Sequence, residues 1–128
     1  MVVSMDELEH FEILEDHAVF RPTGQVSVER AVELIVTAIA FARARGIRNL
    51  LADVSNLTGF EPPSIHRRYF FAFDFARAAK GVVRVAFVTR PEMIDPQKTG
   101  STIAGSFGFI DNSFTTEDEA LDWLRGLH

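Results

Sequence analysis

The chain has 128 residues, 47% of them hydrophobic and 24% charged, so it is long and apolar enough to bury one core. It has no cysteine, which excludes disulfides and cysteine metal ligands, and its formal net charge of −5 disfavours general binding to nucleic acid. No basic segment precedes an N-terminal apolar run, and no apolar stretch approaches the ~18 residues that span a membrane. These features predict a single cytoplasmic domain over residues 1–128.

The first half of the chain predicts a hairpin, a helix and a buried strand. Two short strands, at 8–14 and 17–21, follow a loose tail of residues 1–7. Ser27 caps a helix whose apolar residues recur at helical spacing as far as Gly46. The nearly continuous apolar run that comes next is typical of a strand covered on both faces.

The second half of the chain alternates helices and strands. The predicted elements are a helix from 62–64 to about 80, a strand at 82–88, a weaker helix at 95–107, a strand at 109–114 and a final helix. Thr116 and Glu119 form a capping box at that final helix. The order β-β-α-β-α-β-α-β-α predicts an α/β fold with one mixed, mostly parallel sheet of about five strands and about four helices.

Polar residues cluster where the first buried strand leads into the second helix. In α/β proteins, ligands and partners usually bind at the carboxyl ends of strands. The candidate ligand or partner site at this junction consists of Asp53, Ser55, Glu61, His66, Arg67 and Arg68. A histidine beside a carboxylate can act as a general base, and two arginines at a helix N-terminus can hold an anion. The alternative is that Asp53 and Ser55 cap their own loop and that Glu61 forms a surface salt bridge with an arginine.

The element order and one local pattern resemble the STAS domain, the fold of the anti-sigma factor antagonists. In that family a buried strand ends in Asp-x-Ser, and an acidic residue and a phosphorylatable serine then precede or cap the next helix. Asp53-Val54-Ser55 and Glu61 match this pattern, but Pro62 and Pro63 stand where the phosphorylated serine and its neighbour would be. The resemblance implies a non-enzymatic regulatory or protein-interaction module of a bacterial STAS-like branch. Because proline has no hydroxyl, the sequence predicts that the phosphoswitch is absent; the alternative is that Ser64 is a displaced substitute.

The second helix carries a run of aromatic residues from Tyr69 to Phe75. Helical geometry places Ile65, Tyr69, Ala72, Phe73, Ala76 and Ala79 on one face, which we assign to the core. Phe70, Phe71 and Phe75 lie off that face, and we expect them to form a homodimer interface. The alternative is a wide apolar arc that a loop covers.

A second function, binding of a small apolar or amphipathic, lipid-like ligand beneath residues 90–108, is compatible with the twelve phenylalanines. Core packing explains them equally well.

The stretch GSTIAGSFG (100–108) lacks the lysine of a phosphate loop and the preceding strand of a hydrolase nucleophile elbow. We interpret it as a helix of small residues packed on the sheet. The four histidines have no paired ligand spacing, so the sequence predicts no metal site. The chain has no coherent catalytic set, so the sequence also predicts no cofactor and no enzymatic activity.

Overall fold

The computed structural model describes residues 8–127, with residues 99–101 and 103 described by their backbone alone. The predicted tail at 1–7 lies outside this range. The elements are β1 (Phe11–Ile13), β2 (Ala18–Phe20), β3 (Gly24–Gln25), α1 (Val28–Ala44), β4 (Asn49–Asp53), β5 (Leu57–Thr58), α2 (Ile65–Ala79), β6 (Arg84–Val88), a 3₁₀ turn (Pro91–Met93), α3 (Thr99–Ser106), β7 (Asp111–Phe114) and α4 (Glu117–Arg125).

Five of the strands form one mixed sheet in the order β1-β2-β4-β6-β7. β1 is antiparallel to β2, and every other neighbouring pair is parallel, with Asp53 at the end of β4 opposite Val88 of β6. The two-residue strands β3 and β5 pair in a second sheet, which the sequence did not predict because such short strands show no periodicity. The predicted α/β fold, with a mostly parallel five-stranded sheet and four helices, is confirmed.

The long helices begin where local side-chain chemistry predicts. Ser27, Ser64 and Thr116 each accept a hydrogen bond from the backbone N–H three residues further on, at 3.1–3.2 Å. These bonds satisfy one of the donors that every helix N-terminus leaves unpaired. The Thr116 hydroxyl also donates to the Glu119 carboxylate at 2.9 Å, so these two residues cap the helix as predicted, with the Glu119 side chain bonded to the hydroxyl rather than to the backbone N–H of Thr116.

The two faces of the sheet are covered by different helices. Because side chains alternate along a strand, Leu50 and Ala52 of β4 face α1, α2 and α3, whereas Leu51 between them faces α4. The neighbouring strands alternate in the same way. Both faces of the central strands are therefore buried, which explains why these strands are almost continuously apolar.

The predicted orientation of α2 is wrong. Ala72 and Ala79 are buried as expected, but Phe75 turns into the core, where its ring lies 5.7 Å from that of Phe87. Tyr69 and Phe73, which the periodicity assigned to the core, are exposed. Aromatic residues lie on both sides of the buried alanines Ala72 and Ala79, so hydrophobic periodicity could not decide which side of α2 packs against the sheet.

The predicted helix over 95–107 is shorter than expected. A 3₁₀ turn and an irregular segment precede α3, which begins only at Thr99 after Lys98 in a left-handed conformation with φ 52°. The Asp95 carboxylate accepts a hydrogen bond from the backbone N–H of Gln97 at 3.0 Å, a local turn that competes with helix formation. No helix within residues 8–127 is long and apolar enough to cross a membrane.

Candidate functional site

The residues that the sequence assigned to one site are divided among three places. Asp53 lies on the α4 side of the sheet in contact with Glu117, and Ser55 hydrogen-bonds to Asp53. Arg68 lines a cavity on the opposite side. Glu61, His66 and Arg67 are exposed around the start of α2. The structure therefore divides the predicted cluster among a carboxyl pair, a cavity wall and an exposed group of polar side chains.

The carboxyl pair is formed by Asp53 and Glu117. Asp53 ends β4, Glu117 begins α4 after β7, and Arg21 directly follows β2. The carboxyl ends of parallel strands meet at one edge of the sheet, which brings these distant residues together. Arg21 binds Glu117 in a bidentate manner, with Nε and Nη2 each 2.8 Å from a carboxylate oxygen.

The two carboxyl groups titrate differently because their surroundings differ. Burial, reinforced by the hydrogen bond to Glu117, raises the pKa of Asp53. The backbone N–H and the hydroxyl of Ser55 oppose this rise by donating to Asp53 Oδ1 at 3.1 and 2.5 Å. The bidentate hydrogen bond from Arg21 lowers the pKa of Glu117 to about 2. As the pH falls, Asp53 therefore takes up a proton before Glu117 does.

The polar residues at the start of α2 do not form the predicted ion pair with Glu61. Arg67 reaches across to α1 instead, with Nη2 3.0 Å from the Glu29 carboxylate. His66 packs edge-on against Phe70, with ring centroids 5.2 Å apart. Among residues 8–127, neither His66 nor an arginine pairs with Glu61. The geometry that a histidine–carboxylate general base requires is not formed here.

A cavity of about 180 Å³ lies between α1, α2, β6 and the segment that follows β6. Its apolar wall includes Ala31, Ile35, Val54, Phe71, Phe75 and Phe87. Arg68 closes one side by donating to the backbone carbonyls of Pro63 and Met93, both at 3.0 Å. This arginine ties the loop before α2 to the 3₁₀ turn and so helps to hold the cavity's shape.

The polar part of the cavity wall comes from residues that the sequence analysis did not select. These residues are Thr89, Arg90, Asp95, Lys98, Asp111 and Ser113. Lys98 hydrogen-bonds Asn112 and lies 5.5 Å from the centroid of the Phe114 ring. Arg90 Nε is buried and has no hydrogen-bond partner among the residues that the structure describes. The position of Arg90 soon after a buried strand was a signal that could have identified it, as it could have identified Arg21.

An aromatic surface, defined by Tyr69, Phe70, Phe73 and Phe107, lies on the outer side of α2 and α3. These side chains are 45%, 54%, 41% and 41% exposed. Phe107 packs edge-on against Tyr69 and Phe73, at 6.1 and 5.4 Å between centroids, so the rings form one continuous patch.

Of the three residues that the sequence predicts for a dimer interface, only Phe70 belongs to the aromatic surface. Phe71 and Phe75 are half-buried and line the cavity. Their placement corrects the assignment of the helix faces, because the flank that carries them packs inward. Whether the exposed flank forms a dimer interface stays a prediction.

Comparison with known proteins agrees with this architecture. No family model matches the chain, and no curated protein matches it significantly. The structure of the anti-sigma factor antagonist SpoIIAA in its unphosphorylated form matches with 21% identity and a TM-score of 0.50, over 91% of this chain and 97% of that chain. The phosphorylated form of the Bacillus cell fate determinant SpoIIAA matches with 20% identity and a TM-score of 0.47, over 90% and 97%. The chain therefore has the fold of the anti-sigma factor antagonists, the STAS fold that its element order predicted.

Proposed function

We propose that the chain is a non-enzymatic STAS-fold interaction domain that docks through its aromatic surface, in the first place with a second copy of itself. The aromatic surface is the observation that carries this proposal. Its four rings contact one another and form a continuous exposed patch, which is uncommon on a protein that does not use it for binding. A twofold arrangement would let the patch of one copy cover that of the other.

Sedimentation equilibrium of the purified chain tests the docking proposal. The wild-type protein should be dimeric at micromolar concentration, and the double substitution Phe70→Ser, Phe73→Ser should give a folded monomer. Ile13→Ser is the matched control, because Ile13 is a similarly exposed apolar residue on β1, at the other end of the sheet. A wild-type monomer at high micromolar concentration would refute self-association and leave a different protein as the partner.

The proposal includes the loss of the phosphoswitch. Pro62 and Pro63 have no hydroxyl, and the two nearest serines are both engaged in local structure. Ser64 Oγ accepts the hydrogen bond that caps α2, and Ser55 Oγ donates to Asp53. Incubation with a kinase-type anti-sigma factor, followed by phosphopeptide mapping, should find neither serine modified. Stoichiometric phosphate on either one would refute this part of the proposal.

A second function, binding of a small amphipathic ligand, is favoured by the cavity. Its wall is apolar on the α1 and α2 side and polar along the segment that follows β6. This segment, 90–98, belongs to the region beneath which the sequence predicts a ligand. Native mass spectrometry of the purified chain should show a bound mass of small-molecule size. Loss of that mass upon Ala72→Leu, a substitution that extends a side chain into the cavity, would assign it to this place.

A further inference from the structure

The size of the cavity limits what it can hold. An engineered protein cavity of about 150 Å³ accommodates benzene, which has six non-hydrogen atoms. By that standard, the cavity of about 180 Å³ encloses about seven such atoms. The part of a ligand that this half-open cavity encloses would thus be a short acyl chain or a single ring.

Arg90 offers an unused hydrogen-bond donor at the polar wall of this cavity. Its Nε is buried, and among the atoms that the structure describes none accepts a hydrogen bond from it. A buried donor without a partner is uncommon in folded proteins, because the group loses its hydration and gains nothing in exchange. An acceptor atom on a ligand would satisfy it.

The remaining cations of the cavity wall are already bound to neutral acceptors. Arg68 donates to two backbone carbonyls, and Lys98 hydrogen-bonds the Asn112 side chain. Three cationic side chains and two carboxylates, those of Asp95 and Asp111, line the cavity, so its wall carries one positive charge in excess. A monoanion matches this excess, whereas a phosphate monoester carries up to about two negative charges at pH 7.

We infer that the cavity binds a small monocarboxylate with an apolar tail, whose carboxylate accepts a hydrogen bond from Arg90 and whose tail lies against Phe71 and Phe75. This inference rests on the second function proposed above and specifies the chemical class of its ligand. Arg90 is the residue that selects an acid over a neutral molecule of the same shape. The phenylalanine side chains contribute affinity for the tail without regard to charge.

Titration of the ¹⁵N-labelled chain, followed by NMR, tests the inference with hexanoate and hexanamide as probes. The two molecules have the same number of non-hydrogen atoms and differ in charge. Hydrogen bonds to charged groups are stronger than those to neutral ones, so hexanoate should bind the wild-type chain roughly tenfold or more tightly than hexanamide. The shifted amides should include those of Ala31 and Ala72, which line the cavity.

The substitution Arg90→Gln should remove the preference for the acid and leave hexanamide binding unchanged. Arg30→Gln is the matched control for net charge, since Arg30 is exposed on α1 and does not line the cavity; it should retain the preference. If the wild-type chain binds acid and amide equally, the carboxylate inference is overturned while ligand binding stands. If neither probe shifts the cavity amides, ligand binding in this cavity is overturned as well.

Discussion

The ion pair between Arg21 and Glu117 makes a prediction with a definite sign and pH dependence. A carboxyl group whose pKa is lowered on folding stabilises the protein above its unfolded pKa, and this contribution disappears as the pH falls towards the folded value. The pKa of Glu117 falls from its ordinary value of 4.5 to about 2, chiefly through the hydrogen bonds from Arg21. Glu117 therefore contributes stability at pH 7 that is lost progressively below pH 4.5.

The size of the contribution follows from the pKa and from the exposure of the pair. The difference between the unfolded and folded pKa of Glu117 would correspond to about 3 kcal/mol of stability if solvent did not screen the ion pair. The side chains of Arg21 and Glu117 are 45% and 32% exposed, so solvent screening reduces the net value to about 1 kcal/mol. Glu117→Gln should lower the free energy of unfolding by this amount at pH 7, and the deficit should shrink between pH 4.5 and pH 3.

Urea unfolding monitored by the fluorescence of Trp123 measures both effects. Trp123 is the single tryptophan of the chain, and it packs against Phe114 at 5.9 Å between centroids, so its emission reports on the packing of α4. Glu12→Gln is the matched control, because Glu12 lies 3.8 Å from Arg21 and is 60% exposed. It should change stability by less than about 0.5 kcal/mol. An equal deficit for the two variants at pH 7, or a Glu117→Gln deficit independent of pH, would refute the reasoning.

Three further predictions concern other parts of the fold. Asp53→Asn should gain stability relative to wild type as the pH rises above 4, because burial raises the pKa of Asp53 and its ionisation then destabilises the folded wild-type protein. A relative loss of stability with rising pH in urea unfolding would contradict this. Phe75→Ala should cost about 3 kcal/mol in the free energy of unfolding, against less than about 0.5 kcal/mol for exposed Phe70→Ala, and equal losses would reverse our assignment of the α2 faces. Backbone amides in 99–106 should exchange with solvent faster than those in 84–88, since glycine weakens a helix by about 1 kcal/mol relative to alanine; equal protection would argue against it.

Local chemistry, which the sequence contains in full, determined the order and the ends of most elements. A cap such as Thr116 with Glu119 depends only on residues a few positions apart. The burial of both sheet faces was likewise predictable, because the central strands lack the polar alternation of a half-exposed sheet. These local signals sufficed to predict the α/β fold, and the resemblance to the STAS domain rested on the element order and on Asp53-Val54-Ser55.

Only the tertiary structure decided which groups meet. Arg21 and Glu117 are 96 residues apart, and neither stands out until the strands are placed side by side. The sequence could not show which side of α2 packs against the sheet for a related reason. Phe75 and Phe73 are equally apolar, so burying either of them contributes the same free energy. The cavity, with Arg90 at its polar wall, arises where α1, α2, β6 and the segment after β6 pack together, so it depends on the assembled structure rather than on any one segment.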